Sequence, residues 1–266
     1  MRVRVNEIWK EVAAGTSLFR LKEGLFPTAD VFILNSFPVQ KDLALQEGDE
    51  VVLIERGKRY SSDELNRLLS ARHSPGVQEK ISQAVVGIAG LGGLGSTAAL
   101  ALARLGIGAL VIADFDVVEP SNINRQQYFL RHIGQYKTEA LKEMIADIHP
   151  GVIVRSHILK LTPETIPSVF DDVPVIVEAL DSADQKEMLI RTVLGAWEKT
   201  SIISGTGMAG YGPANAIETV YEGRLVLCGD QTSEARQGWG LMAPRVGVCA
   251  HHQANAVLRL IMGLDQ

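Results

Sequence analysis

The chain has 266 residues, 46% of them hydrophobic and 21% charged, a composition that fills a large globular domain plus a small one and excludes extended disorder. A formal net charge of -5 with scattered lysines and arginines excludes a basic stripe for a nucleic acid backbone, so nucleic acid is not the expected partner. The two cysteines, Cys228 and Cys249, build neither a disulfide framework nor a four-cysteine zinc site, so no zinc is predicted. The first residues carry no apolar leader, and no stretch approaches the roughly 18 apolar residues of a membrane span. The expectation is a cytoplasmic protein without membrane contact.

Residues 2–5 alternate arginine and valine and predict a strand, with a second at 8–12 after a brief turn. Thr16 is the predicted cap of a short helix that carries Leu18, Phe19 and Leu21 on its apolar face and ends at Gly24. A third strand follows at 30–34, and Glu47-Gly48-Asp49 forms a tight turn into a last strand at 50–54. This order describes a small α+β sheet crossed by one helix, a ubiquitin-like β-grasp layout over residues 1–57. The polar stretch 58–76, with a helical piece at 62–69 and the breaker Ser74-Pro75-Gly76, is the predicted linker to a second domain at 77–266.

Past residue 77 apolar runs alternate with helical segments. Strands are predicted at 84–89, 109–113, 152–158, 173–180 and 201–205, and helices at 96–105, 137–148 and 183–197. A closing helical segment at 243–262 opens near Pro244. Near-continuous apolar strands imply a Rossmann-like α/β fold, a mostly parallel sheet with helices on both faces. Gly90-Leu91-Gly92-Gly93-Leu94-Gly95 meets the G-x-G-x-x-G pattern between the first strand and helix, where amides and the positive helix end face phosphate. Asp114, at the end of the next strand, stands where a ribose-binding acid is expected. A nicotinamide dehydrogenase would share these features, but it has no evident use for Asp114-Phe115-Asp116 and the run Ser121-Asn-Ile-Asn-Arg-Gln-Gln127.

Attack on the α-phosphorus of ATP requires cations for the departing pyrophosphate. Arg125, if its loop folds back over the glycine turn, and Lys137, at a helix start, are the candidates; each is also explicable as a surface ion-pair partner. Asp181 follows the strand at 173–180 on the carboxyl edge of the sheet. There it could hold Mg²⁺ against a triphosphate, cap the next helix, or do both.

The ordered set GLGGLG, DFDVVEPSNINRQ, Gly134 followed by Lys137, and Asp181 resembles the ThiF/MoeB superfamily of ubiquitin-activating-type adenylyltransferases over about residues 72–263. LMAPRVGVCAHHQANAVLRLIMG looks like the closing helix of that family, and EPSNINRQQYF and GMAGYG are similar to a short ThiF subfamily of thiamine biosynthesis. The resemblance implies that Gly90, Gly92 and Gly95 approach the phosphates and that Asp114 binds the ribose hydroxyls. It further implies that Asn122, Arg125 and Lys137 contact the triphosphate and that Asp181 ligates Mg²⁺, with Arg125, Lys137 and Asp181 as the catalytic set. The implied substrates are ATP and a ubiquitin-like sulfur carrier protein with a free C-terminal Gly-Gly. The carrier's carboxylate would attack the α-phosphate, release pyrophosphate and leave an acyl-adenylate for sulfur transfer, on an enzyme that is a homodimer.

Two alternatives belong to the same resemblance: a tRNA-modifying dehydratase, and a catalytically impaired nucleotide-binding scaffold. The chain departs from the family pattern in lacking paired C-x-x-C motifs and in having Ser182 where asparagine is frequent. The R-Y-x-R-Q segment of the family is represented by Arg72, with Pro75 at the second arginine, the one that usually reaches into the partner subunit's site. Cys228, ahead of a mobile loop through Gly240, and Cys249, in the closing helix, read as small buried hydrophobes. The first domain is similar to the ThiS-like carrier itself, yet its last strand runs on through Lys58-Arg59-Tyr60 and offers no terminal carboxylate. It is expected to act as a docked structural or regulatory mimic while a separate carrier enters the site.

Overall fold

In β1 (Arg2–Val5) the valines are buried and the arginines are not, the two-residue period of a half-buried strand. This strand opens a computed structural model that describes residues 1–70, 73–74 and 76–264 and divides into two compact units, Met1–His73 and Ser74–Gln266. β1 turns into β2 (Ile8–Glu11) through Asn6 and Glu7, whose φ angles of 44° and 67° suit a two-residue hairpin. α1 (Leu18–Leu25), β3 (Val31–Leu34), β4 (Phe37–Val39) and β5 (Glu50–Ile54) follow. The sheet order is β2-β1-β5-β3-β4, with β5 parallel to β1 and antiparallel to β3. Leu18 and Leu21 of α1 pack on Val3, Val5, Val51 and Leu53, which completes the β-grasp core.

Three details of this unit differ from expectation. Ser17, not Thr16, caps α1: its Oγ accepts the Arg20 N–H at 3.4 Å, whereas the Thr16 hydroxyl donates to the Ala13 carbonyl at 2.8 Å. Gly24 lies inside the helix because its backbone is not in the left-handed region that makes glycine a terminator. β4 was hidden by Pro38, which an edge strand tolerates. The stretch expected as a linker contains α2 (Ser62–Ser70), with Asp63 and Glu64 at its positive end.

The second unit runs through α3 (Val77–Ile81), β6 (Val85–Ala89), α4 (Gly93–Arg104), β7 (Ala109–Ala113), α5 (Lys137–Ile148) and β8 (Ile153–His157). It continues with α6 (Ile166–Val169), β9 (Val175–Glu178), α7 (Ala183–Ala196), β10 (Ser201–Gly205), β11 (Glu218–Glu222), β12 (Leu225–Gly229) and α8 (Ala243–Met262). The sheet order is β11-β12-β10-β9-β6-β7-β8, all parallel except the edge strand β11. β11 and β12 fall in a region without predicted strands. They form a hairpin through Gly223, at φ 61°, and β12 then extends the parallel sheet beside β10. α4 begins at Gly93, inside the glycine motif, rather than at Ser96. Pro244 occupies the first turn of α8, where its missing N–H costs nothing.

Alternate residues of β7 feed opposite faces of this sheet. Leu110 and Ile112 join Leu141, Ile145, Ala250 and Val257, whereas Val111 and Ala113 join Ile166, Phe170, Leu189 and Val193. Burying each such leucine or isoleucine contributes about 2–3 kcal/mol. β6 comes first in this sheet and has β7 on one side and β9 on the other, so the winding reverses there and opens a crevice at the carboxyl ends of β6 and β9. Among the described residues no helix is long and apolar enough to cross a membrane.

Candidate active site

The chain leaves β6 at Gly90, whose φ is +87° and where a Cβ would stand 2.7 Å from the Ala179 carbonyl oxygen; only glycine fits. Gly92 is the N-cap of α4 and provides no side-chain cap, so the first amides of the helix have no intrahelical acceptor. The neighbouring carbonyls are already used. Ser96 Oγ donates to Gly92 O at 2.6 Å, Thr97 Oγ1 to Gly93 O at 2.7 Å, and the Tyr128 hydroxyl to Leu91 O at 2.9 Å. A turn with occupied carbonyls and uncapped helix-end amides is suited to an anion.

Gly95, expected to approach the phosphates, does not line the crevice; it lies buried in α4, where a Cβ would come 1.9 Å from the Gly90 carbonyl oxygen, so its role is to let the helix pack against the turn.

The crevice holds about 960 Å³ and is lined by Gly90, Gly92, Asp114, Asn122, Arg125, Lys137 and Asp181. Arg125 arrives because its loop folds back over the glycine turn: a Cβ on Gly93 would meet Arg125 O at 3.3 Å and Arg125 Cγ at 3.6 Å. Its Nη1 donates to Asn124 Oδ1 at 2.9 Å and to Ser121 O at 3.3 Å. Asn122 is buried and its Oδ1 accepts the Glu119 N–H at 3.0 Å, closing the turn that presents Arg125. The Lys137 side chain is 7% exposed, with Nζ donating to Asp116 Oδ2 at 2.7 Å and standing 4.0 Å from Asp114 Oδ2.

Asp114 already supports the turn, its two oxygens accepting the Leu91 N–H at 2.7 Å and the Asp116 N–H at 2.8 Å. Burial raises its carboxyl above the usual range, opposed by the Lys137 charge and these two amides. Asp181 is exposed and has no intramolecular partner among the described residues. Ser182, rather than Asp181, caps α7 by accepting the Gln185 N–H at 3.3 Å, so the capping role falls away and the Asp181 carboxylate is free for a ligand. Arg72 and Pro75 lie outside the described residues.

Sequence reasoning missed a second set of groups at the same edge. Glu178, the last residue of β9, is fully buried, and Lys186, from α7, lines the crevice. Lys186 Nζ donates to Glu178 Oε1 at 3.0 Å, to Glu178 Oε2 at 2.9 Å and to Gly205 O at 3.1 Å. The visible signal was one glutamate in the apolar run 173–180. Gln126 also lines the crevice, with a buried Oε1 that has no partner among the described residues.

Residues 231–235 close another side, anchored by Asp230, whose Oδ1 accepts the Thr232 and Ser233 amides at 2.9 and 2.7 Å and whose Oδ2 pairs with Arg245 of α8. Burial alone would raise the Asp230 carboxyl, but these donors and the Ser233 hydroxyl outweigh it and hold it at about 2. Neither cysteine lines the crevice. Burial pushes the thiols up to about 11 for Cys228 and about 12 for Cys249, which keeps both protonated near neutral pH.

A mostly parallel sheet with its crevice at the switch point, an uncapped helix end over a glycine turn, and the buried Lys137 with Arg125 facing it define an α/β protein with a phosphate-type ligand site. The chain belongs to the ThiF family, which its residues 65–266 match, while residues 1–57 match the family described as ThiS-like ubiquitin. It is similar to adenylyltransferase and sulfurtransferase UBA4 of Candida glabrata, 27% identical over 233 residues that cover 84% of this chain and 52% of that protein. It is also similar to the molybdopterin-synthase adenylyltransferase of Salmonella typhimurium, 28% identical over 195 residues, 71% of this chain and 77% of that protein. The chain thus spans about half the length of the UBA4 relative. A crystal structure of E. coli tRNA N6-threonylcarbamoyladenosine dehydratase in complex with AMP shares the fold with a TM-score of 0.67 at 22% identity, covering 73% of this chain and 93% of that one.

Proposed function

We propose that this chain is an ATP-dependent adenylyltransferase that activates the C-terminal glycine carboxylate of a ubiquitin-like sulfur carrier protein, in thiamine biosynthesis, as a cytoplasmic homodimer. The observation that carries the reading is the gathering of Asp114, Asn122, Arg125, Lys137 and Asp181 on one crevice above the uncapped end of α4. In this reading Gly90, Gly92 and the α4 amides receive phosphate oxygens, and Asp114 faces the ribose. Asn122, Arg125 and Lys137 meet the triphosphate. The carrier's carboxylate oxygen bonds to the α-phosphorus, the bond to the bridging oxygen breaks, and pyrophosphate leaves with the electron pair. Arg125 and Lys137 stabilise the charge that grows on it, and the work of the protein is positioning and neutralisation.

Among the described residues no cluster of three or more His, Cys, Asp or Glu is arranged to hold a metal. One partnerless carboxylate beside a phosphate turn does fit Mg²⁺ that arrives with a nucleotide, because Mg²⁺ there takes one or two carboxylates and keeps several waters. Asp181 would hold it, and the ion would supply neutralisation of the triphosphate. The match of residues 1–57 to a ThiS-like family supports a carrier of that class and the thiamine pathway. The adenylyltransferase names of the two relatives support the reaction type. The homodimer is supported by exposed Phe129, Leu130, Ile133 and Tyr136, apolar side chains on a loop that the Val117–Tyr136 bridge holds in place.

ATP–pyrophosphate exchange, measured with and without a carrier bearing a free Gly-Gly end, tests the reading. Carrier-dependent exchange is expected, and Arg125→Ala, Lys137→Ala and Asp181→Ala should each lower it at least about tenfold with an unchanged circular dichroism spectrum. Normal rates in all three variants would refute the assignment. Exchange that depends on RNA would favour the dehydratase reading, and nucleotide binding without exchange would favour a scaffold.

A further inference from the structure

The carboxylate of Glu178 is fully buried and accepts four hydrogen bonds. Oε1 takes the Leu180 N–H at 2.7 Å and Lys186 Nζ at 3.0 Å, while Oε2 takes Lys186 Nζ at 2.9 Å and Ser204 Oγ at 2.5 Å. Gln253 of α8 clamps the same strand end from another side, with Nε2 donating to Glu178 O at 2.9 Å and to Ile203 O at 3.2 Å. Burying the Glu178 carboxylate costs desolvation energy that an apolar side chain would not, even with the partly exposed Lys186 beside it, so stability alone is a poor reason for it.

What the pair holds is more telling. Leu180 immediately precedes Asp181, whose carboxylate has no internal partner to aim it, so the direction of that carboxylate is set by the backbone that leaves β9. The Leu180 N–H bond to Glu178 fixes this backbone. The Ala179 N–H donates to Ala89 O at 2.8 Å, and the Ala179 carbonyl sits where Gly90 has no Cβ, so the same segment is registered against the glycine turn. Lys186 meanwhile grips Gly205 O, at the start of the stretch 205–209 that also lines the crevice.

We infer that Glu178 and Lys186 are positioning residues: the pair holds the Leu180 amide and so aims Asp181 at the metal that accompanies the nucleotide. The inference rests on the assignment of Asp181 made under the proposed function. Glu178, fully buried, acts through the Leu180 backbone.

The test is calorimetric binding of a non-hydrolysable ATP analogue to the full chain with and without Mg²⁺. Wild-type protein should bind more tightly with Mg²⁺, and Asp181→Asn should lose that gain. Glu178→Gln alone would leave the Lys186 ammonium without its carboxylate, so the decisive variant is Glu178→Gln with Lys186→Met, which removes both charges at similar volume. It should fold normally and, measured against its own Mg²⁺-free affinity, lose at least about fivefold of the Mg²⁺ gain, with Leu180 amide exchange at least about tenfold faster. Adding Asp181→Asn to it should bring the loss to that of Asp181→Asn alone and no further. A full Mg²⁺ gain in the neutral pair variant would overturn the inference. Losses that multiply with Asp181→Asn would also overturn it. Wild type that gains affinity with Mg²⁺ but catalyses no exchange would refute only the adenylation reading. No Mg²⁺ gain in wild type would overturn the role of Asp181 and this inference together.

Discussion

Gly95 separates two jobs that a glycine pattern merges. The motif at residues 90–95 was plain in the sequence, but the pattern could not say that Gly92 borders the crevice while Gly95 is spent on packing, because that depends on where the Gly90 carbonyl falls. Gly95→Ala would drive a methyl into that carbonyl and should lower stability by about 3 kcal/mol, seen as a lower urea midpoint at unchanged slope. An unchanged midpoint would mean that the turn relaxes freely. Asp181 shows the same limit from the other side. Its place at a strand end was legible, whereas its freedom from the capping role turned on which of two adjacent residues met the Gln185 amide.

At the level of elements, apolar runs announced the four inner strands β6, β7, β9 and β10, because a strand buried on both faces needs apolar residues at every position. β11 and β12 escaped notice because their faces are unequal: β11 is half-exposed and carries Glu218, Tyr221 and Glu222, which breaks the pattern of a buried strand. The segment after β12 is tethered through Asp230, and this tether depends on pH. Its carboxyl is depressed from the ordinary value of about 3.9 to about 2, so its contribution is complete above about pH 4 and disappears as pH falls from there through about 2. Chemical denaturation of wild type and Asp230→Asn should therefore give a stability gap that is widest near neutral pH and closes through that window. A gap of constant size would show that the charge is not what anchors the segment.

Across the whole molecule, both folds could be read from the order of elements, while the assembly could not, since apolar residues on a surface loop look in sequence like any other apolar residues. Leu130 is 74% exposed, beside Phe129 at 51%. Leu130→Asp should convert a dimer to a monomer in sedimentation velocity without altering the unfolding midpoint of the monomer. Wild type that sediments as a monomer at every concentration would remove the homodimer from the proposal.

The strand that completes the first unit, β5, passes without a break into Lys58 and onward to the rest of the chain. Any activating chemistry at a terminal glycine therefore finds no reactive end on the built-in copy, which can be neither consumed nor released. Every catalytic cycle would have to draw its acyl group from a separate molecule, so product should accumulate in proportion to free carrier, and the enzyme incubated by itself with ATP should never label its own chain.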